Sequence, residues 1–226
     1  MKKIIFLSFV LLLGVHASVF SQTITAAGNQ PIPGINKERV SKINSMLDEA
    51  ISKEQVPGLV AMIVKDGKVI YHEAKGFADV ESNQPMEKNS IFRIASQTKA
   101  ITSTAIMILW EEGKFKLDDP ISKYIPEFKN PQVLNTFRYA DTTFTTRPSS
   151  REITIRHLLT HTSGLGYGVI DGDERMKMIY HKAGVVDLFT TEKVTIEESV
   201  KRLARLPLHH EPGTKYTYSE GLDVLG

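Results

Sequence analysis

The run from Ser96 to Glu112 most constrains what this chain can fold into. Ile101, Ala105, Ile106, Ile108, Leu109 and Trp110 leave it almost no polar face. A helix that is apolar nearly all round has to be buried. A helix over 96–112 is therefore expected in the middle of a domain, with Trp110 in the core and Gly113 ending it. Upstream, Val40, Ile43, Leu47 and Ile51 recur at helical spacing within Lys37 to Glu54, and Pro57-Gly58 breaks that helix. Leu59 to Val64 reads as a strand, Asp66-Gly67 as a hairpin turn and Val69 to His72 as the returning strand, with Gly76-Phe77-Ala78-Asp79 closing the hairpin.

Further along, Asp118-Asp119-Pro120 looks like the capped start of a short helical turn, with proline at a first-turn position. Asn130 to Arg151 is rich in Thr, Pro and Ser and reads as loop. Thr154 can cap a short helix over Ile155 to Leu159. Thr195-Ile196-Glu197-Glu198 is a capping box that opens a helix to about Ala204. Pro207 closes that helix, and Pro212-Gly213 turns the chain into Lys215-Tyr216-Thr217-Tyr218. Gly166 to Val194 has mixed polarity, and its periodicity places no element firmly.

The first residues read as an export signal. Lys2 and Lys3 precede the apolar stretch Ile4 to Val15, and Val19 and Ser21 supply small residues for a cut after Ser21. The expected order is a signal over 1–21, a flexible leader over 22–36 and one domain over 37–226, in the periplasm or secreted, with no stable membrane span after cleavage. The net charge of +2 includes Lys2 and Lys3, so the mature chain is neutral. Neither a basic stripe nor a nucleic-acid motif is present, so no nucleic-acid partner is expected. There is no cysteine and hence no disulfide. A hydrophobic content of 41% over 226 residues suits one globular domain rather than a disordered chain.

Ser96-Gln97-Thr98-Lys99 carries the candidate chemistry. Residues i and i+3 share a helix face, so the Ser96 hydroxyl and the Lys99 amine can meet. Serine needs an adjacent base to become a good nucleophile. The Ser96 N–H, in a first helical turn, can donate to an oxyanion. Ser163 is the rival nucleophile, but Thr162-Ser163-Gly164 lacks the first glycine of Gly-x-Ser-x-Gly, and a turn role suits it better. His157 and His161 have a spacing that can bind zinc. No acid completes a His-Glu-x-x-His pattern, so no metal and no cofactor are expected. His209-His210 reads as a surface pair.

Four stretches together resemble the serine β-lactamase and penicillin-binding-protein superfamily, in particular its branch of class C β-lactamases, D-alanyl-D-alanine carboxypeptidases and related esterases. They are Phe92 to Lys99, Leu117 to Ile121, Ile153 to Leu165, and Glu211-Pro212-Gly213 followed by Tyr218-Ser219. The resemblance implies an α/β (α+β) fold of β-lactamase type, an antiparallel sheet flanked by helices with a helical subdomain. It implies an acyl-enzyme on Ser96, with Lys99 taking or easing the serine proton and Tyr218 shuttling it to the leaving group. Tyrosine ordinarily titrates near pH 10, so such a role calls for a neighbouring cation, and Lys99 is the candidate.

Glu220 stands where many lactamases of this branch have Asn. It is a candidate substrate-binding residue that disfavours a carboxylate-bearing β-lactam, unless it faces solvent. The expected substrate is a small ester, with an amide, a β-lactam or a cell-wall peptide as alternatives. A D,D-peptidase, a true β-lactamase, or a non-catalytic binder of peptidoglycan or peptide are the competing functions. The resemblance also implies a third motif, Lys-Thr-Gly or His-x-Gly, on a later strand. Nothing after Tyr218 matches it, so the domain is expected to be incomplete, with C-terminal strands missing.

Overall fold

The expected signal segment 1–21 lies outside the residues described by the computed structural model, which are 24–26, 34–186 and 190–226. The chain divides after Phe92 into two units. In the first, Thr25–Ala26 forms β1 inside the expected leader, pairing in parallel with Lys68 and Val69. Helix α1 spans Lys37–Ser52, and the Asn36 side chain caps it by accepting the Arg39 N–H at 3.0 Å. Strands β2 (Gly58–Lys65) and β3 (Lys68–Asp79) form the expected hairpin, and β4 (Gln84–Pro85) adds to β3. The turn is Asp66-Gly67, both with positive φ (48° and 71°), as a tight two-residue hairpin turn requires. Leu47 of α1 is buried, and the Tyr71 hydroxyl donates to Asn44 at 2.7 Å, fastening helix to sheet.

The second unit, Arg93 to Gly226, carries helix α2 over Gln97–Glu111. Here the expectation of burial fails. None of its residues is buried, and Trp110, expected in the core, is 40% exposed. The chief neighbour of α2 in its unit is a helix of five residues, which at about 1.5 Å rise per residue covers only a third of it.

Asn130 to Arg151 is also not a loop. Strands β5 (Gln132–Arg138) and β6 (Thr143–Pro148) pair antiparallel, with Phe137 opposite Phe144 and the Thr136 and Thr145 hydroxyls 2.6 Å apart. Every residue of β6 is exposed, so no apolar alternation marks it; β-branched threonines carry the strand instead. After Asp118-Asp119-Pro120 comes a single 3₁₀ turn, Ile121–Lys123, whose N-cap is Pro120.

Helices α3 (Ile155–Leu159), α4 (Glu174–Lys182), α5 (Ile196–Leu203) and α6 (Gly221–Leu225) complete the unit. The caps expected at Thr154 and Thr195 are both present as full capping boxes. The core of this unit is built on Phe128, Ile153, Leu158, Met176, Tyr180 and Leu203. Antiparallel sheets with packed helices are the mixed α/β architecture that was expected.

Candidate active site

The chain enters α2 through a tight turn. The N–H groups of Gln97, Thr98 and Lys99 donate back to the carbonyls of Ile94, Ala95 and Ser96 at 3.0–3.1 Å. The turn sets Ala95 at φ 46°, a left-handed conformation costing a non-glycine residue roughly 1–3 kcal/mol. Ser96 sits at the N-cap position of α2 and is exposed. Lys99, one turn on, is half-buried. Its ammonium donates to the Tyr167 hydroxyl at 3.2 Å rather than to Ser96, with which it shares a helix face.

Tyr218 reaches Ser96 from 122 residues away, its hydroxyl donating to the Ser96 Oγ at 2.7 Å. His161 brackets it. The His161 carbonyl accepts the Thr217 N–H at 2.8 Å, and its Nδ1 accepts the Ser219 N–H at 3.2 Å. The Tyr218 ring lies between the His161 ring, centroids 4.8 Å apart, and the Tyr167 ring, stacked at 5.1 Å and 3°. Aromatic pairs of this kind add about 0.5–1.5 kcal/mol beyond burial, enough to hold a half-exposed ring in one place.

Ser96, Lys99 and Tyr218 thus come together, and Tyr167 joins them. Sequence reasoning missed Tyr167. The available signal was an aromatic directly after Gly164-Leu165-Gly166.

The charges are arranged around a cation. Burial pulls the Lys99 ammonium down, but the hydrogen bond to Tyr167, then the charges of Tyr167, Asp223 and Tyr218, outweigh it and hold Lys99 above its usual range. Burial and the nearby Lys99 charge push the His161 imidazole below its usual value, with Asp223 opposing. Lys99 is therefore the ammonium and His161 the neutral ring at pH 7. A cleft of about 450 Å³ opens beside Ser96, Lys99, Thr102, Tyr167 and Asp223.

Glu220 does not face solvent, being 6% exposed. It lines a recess of about 190 Å³ that shares Tyr167, Thr190, Ile196 and Asp223 with the Ser96 cleft. Ser163 is fully buried, and its Oγ accepts the Leu165 N–H at 3.3 Å. The His157 Nδ1 accepts the Thr154 N–H in the capping box of α3. His209 is not a surface residue: its side chain is 12% exposed, with Nε2 2.8 Å from Asp171 Oδ2. His210 bonds the Thr217 hydroxyl at 3.0 Å. No cluster of three metal-ligating side chains occurs among the described residues.

Fold and geometry together define a β-lactamase-type domain with a Ser-x-x-Lys helix facing a Tyr-Ser turn. The family model for Beta-lactamase matches residues 43–226, and the chain belongs to that family. It is 36% identical over 186 residues to Esterase EstB of Burkholderia gladioli, covering 82% of this chain and 43% of that protein. It is likewise 36% identical over 163 residues to Acyltransferase calJ of Penicillium decumbens, covering 71% and 36% of the two chains. Among solved structures, EstCE1, a hydrolase with promiscuous acyltransferase activity, superposes with a TM-score of 0.67 at 32% identity, covering 84% of this chain and 45% of that one. The chain thus spans less than half the length of these relatives.

Proposed function

We propose that the protein is an exported serine hydrolase that cleaves an ester or amide through an acyl-serine intermediate, with Ser96 as nucleophile, Tyr218 as the group that carries the proton and Lys99 as the ammonium that supports it. The observation that carries this reading is the 2.7 Å contact between the Tyr218 hydroxyl and the Ser96 Oγ beside the Lys99 ammonium, whose Nζ lies 5.3 Å from the Tyr218 ring centroid. In the reactive form, Tyr218 as phenolate takes the Ser96 proton while Oγ bonds to the substrate carbonyl carbon. Lys99 keeps its proton and stabilises negative charge on the tyrosine oxygen. The tetrahedral oxyanion takes the Ser96 N–H as a donor. Tyr218 then returns its proton to the departing alkoxide or amine, and the acyl–oxygen bond to Ser96 remains. Water, deprotonated by Tyr218, releases the acid and free Ser96. An alcohol in place of water gives acyl transfer, an activity named for two of the relatives.

Esters are the preferred substrates. Glu220 lines the recess adjoining the cleft, and in its ionised form it repels the carboxylate of a β-lactam. A non-catalytic binder would gain nothing from a tyrosine hydroxyl held on an exposed serine. Residues 1–21 supply the export signal.

The test is labelling and turnover by the full chain, as wild type, Ser96→Ala and Ser163→Ala. A fluorophosphonate should label all but Ser96→Ala. Short-chain p-nitrophenyl esters should be turned over with a higher kcat/KM than nitrocefin or a D-Ala-D-Ala peptide. Labelling retained in Ser96→Ala but lost in a folded Ser163→Ala would overturn the nucleophile assignment, and faster nitrocefin turnover would overturn the ester preference.

A further inference from the structure

We propose that the buried Asp171–His209 pair is a positioning device for acylation, holding the Tyr167 backbone and, through the Tyr167 side chain, the places of Lys99 and Tyr218. The inference rests on the serine-hydrolase reading above.

The Asp171 side chain is 3% exposed, and a buried carboxylate is costly unless every acceptor site is used. Asp171 Oδ2 accepts the Tyr167 N–H at 3.1 Å and lies 2.8 Å from His209 Nε2, while Oδ1 accepts the Asp173 N–H at 2.8 Å. Burial pushes the Asp171 carboxyl up, but the His209 hydrogen bond and the backbone N–H groups outweigh it and hold it below its usual range. His209 is held in turn. Its backbone N–H donates to Gly164 O at 2.7 Å, and its Nδ1 lies 3.9 Å from the Asp173 carboxylate.

The pair presses directly on the peptide that carries Tyr167. A Cβ on Gly166 would sit 2.6 Å from Asp171 Oδ2 and 2.9 Å from His209 Nε2, so any larger residue there would have to push the pair aside. The Gly166 N–H donates to the Tyr180 hydroxyl at 2.7 Å, and its carbonyl accepts the Glu220 N–H at 3.1 Å. The same dipeptide therefore ties down the chain that leaves Tyr218. Tyr167 then does two things with its fixed ring: its hydroxyl takes the Lys99 hydrogen bond, and its face stacks on Tyr218.

Removing the His209 donor leaves the buried carboxylate short of a partner. Asp171 must then move to recover one, and the Tyr167 N–H moves with it. A misplacement of about an ångström can cost roughly a hundredfold in rate without weakening substrate binding.

The test compares His209→Leu, His209→Gln and wild type in the full chain, reading the acylation kcat and KM on p-nitrophenyl butyrate. His209→Leu should lose roughly ten- to a hundredfold in kcat with KM changed by less than about twofold, since the interaction lost is one used in the transition state. His209→Gln, whose amide N–H reaches Asp171, should recover to within about threefold of wild type. Should His209→Leu give no soluble protein, His209→Asn replaces it: it is one methylene too short to reach and should behave as Leu does. A wild-type rate in His209→Leu or His209→Asn, or a His209→Gln as impaired as either, would overturn the positioning role. Fluorophosphonate labelling of Ser96 in the wild type runs alongside. Labelling with unchanged variant rates overturns this inference alone, and no labelling overturns the hydrolase reading and this inference with it.

Discussion

Ala95 is the residue that shows how the proposed nucleophile is presented. A left-handed alanine ahead of Ser96 is an unfavourable local choice, and it turns the chain sharply enough to put the serine hydroxyl at the exposed mouth of α2. Lys99 is the second such choice, a half-buried ammonium kept charged by the groups around it. With the lysine charged, the proposed reaction leaves the proton traffic to Tyr218. Lys99→Met and Tyr218→Phe should each lower ester turnover by roughly two to four orders of magnitude, the usual range for a general acid–base group. The double variant should be barely worse than the worse single one, because groups acting as a unit are not additive. Steady-state kinetics on the substrate panel checks this, and wild-type turnover by Tyr218→Phe on every substrate would remove its catalytic role. Ser96 and Lys99 were legible as a pair because they sit one helical turn apart, and Tyr218 only through the Tyr218-Ser219 stretch that carries the family resemblance. Tyr167 and His209 were not. Their importance lies in contacts 68 and 38 residues away in the chain, which no local spacing encodes.

At the scale of elements, legibility followed how much of an element's role is local. The α1 helix, the β2–β3 hairpin and the two capping boxes were readable, since period, turn residues and caps sit within a few positions of each other. The β5–β6 hairpin was hidden because its second strand is solvated on both faces. The α3 helix shows local chemistry with a pH consequence. His157 completes its capping box with Nδ1 as acceptor, and the turn after it ends on His161, whose Nδ1 also accepts. Both imidazoles are held below their usual value: His157 by burial first and then Arg151, His161 by burial first and then Lys99. A depressed histidine stabilises the fold fully above the unfolded value of about 6.5, and that stability is lost as pH falls through the folded values. The thermal midpoint should therefore already drop between pH 7.5 and 5.5. Glu211, held at about 2 by Arg147, Ser149 and Ser150, begins to lose its contribution only once pH falls into the ordinary carboxylate range, well below that of the histidines. The double variant His157→Gln with His161→Asn should flatten the first drop. Gln at that position still completes a capping box, and Asn tolerates the positive φ of 54° at position 161. Equal drops in wild type and double variant, followed by calorimetry, would assign the acid sensitivity elsewhere.

At the scale of the whole molecule, the outstanding feature is apolar surface left in water. Ile101, Ala105, Ile108 and Leu109 follow helical spacing on α2 and are all exposed, with Ile101 at 61% and Ile108 at 51%. Trp110, the single tryptophan, is 40% exposed but lies about 100° further round the helix than Leu109, off this stripe. Burying a side chain of this kind is worth about 1.5–3 kcal/mol, so a contiguous row of them favours association over solvation. The 226-residue chain should therefore self-associate in the micromolar-to-millimolar range in which exposed apolar surfaces generally aggregate. Light scattering reports the event directly: the apparent mass should rise with concentration. Replacing two members of the stripe, Ile101→Lys with Ile108→Lys, should restore a monomer in light scattering without unfolding the chain, because neither residue belongs to the buried core of the unit. A wild-type chain that stays monomeric across that range would mean that α2 meets its apolar demand within the single chain.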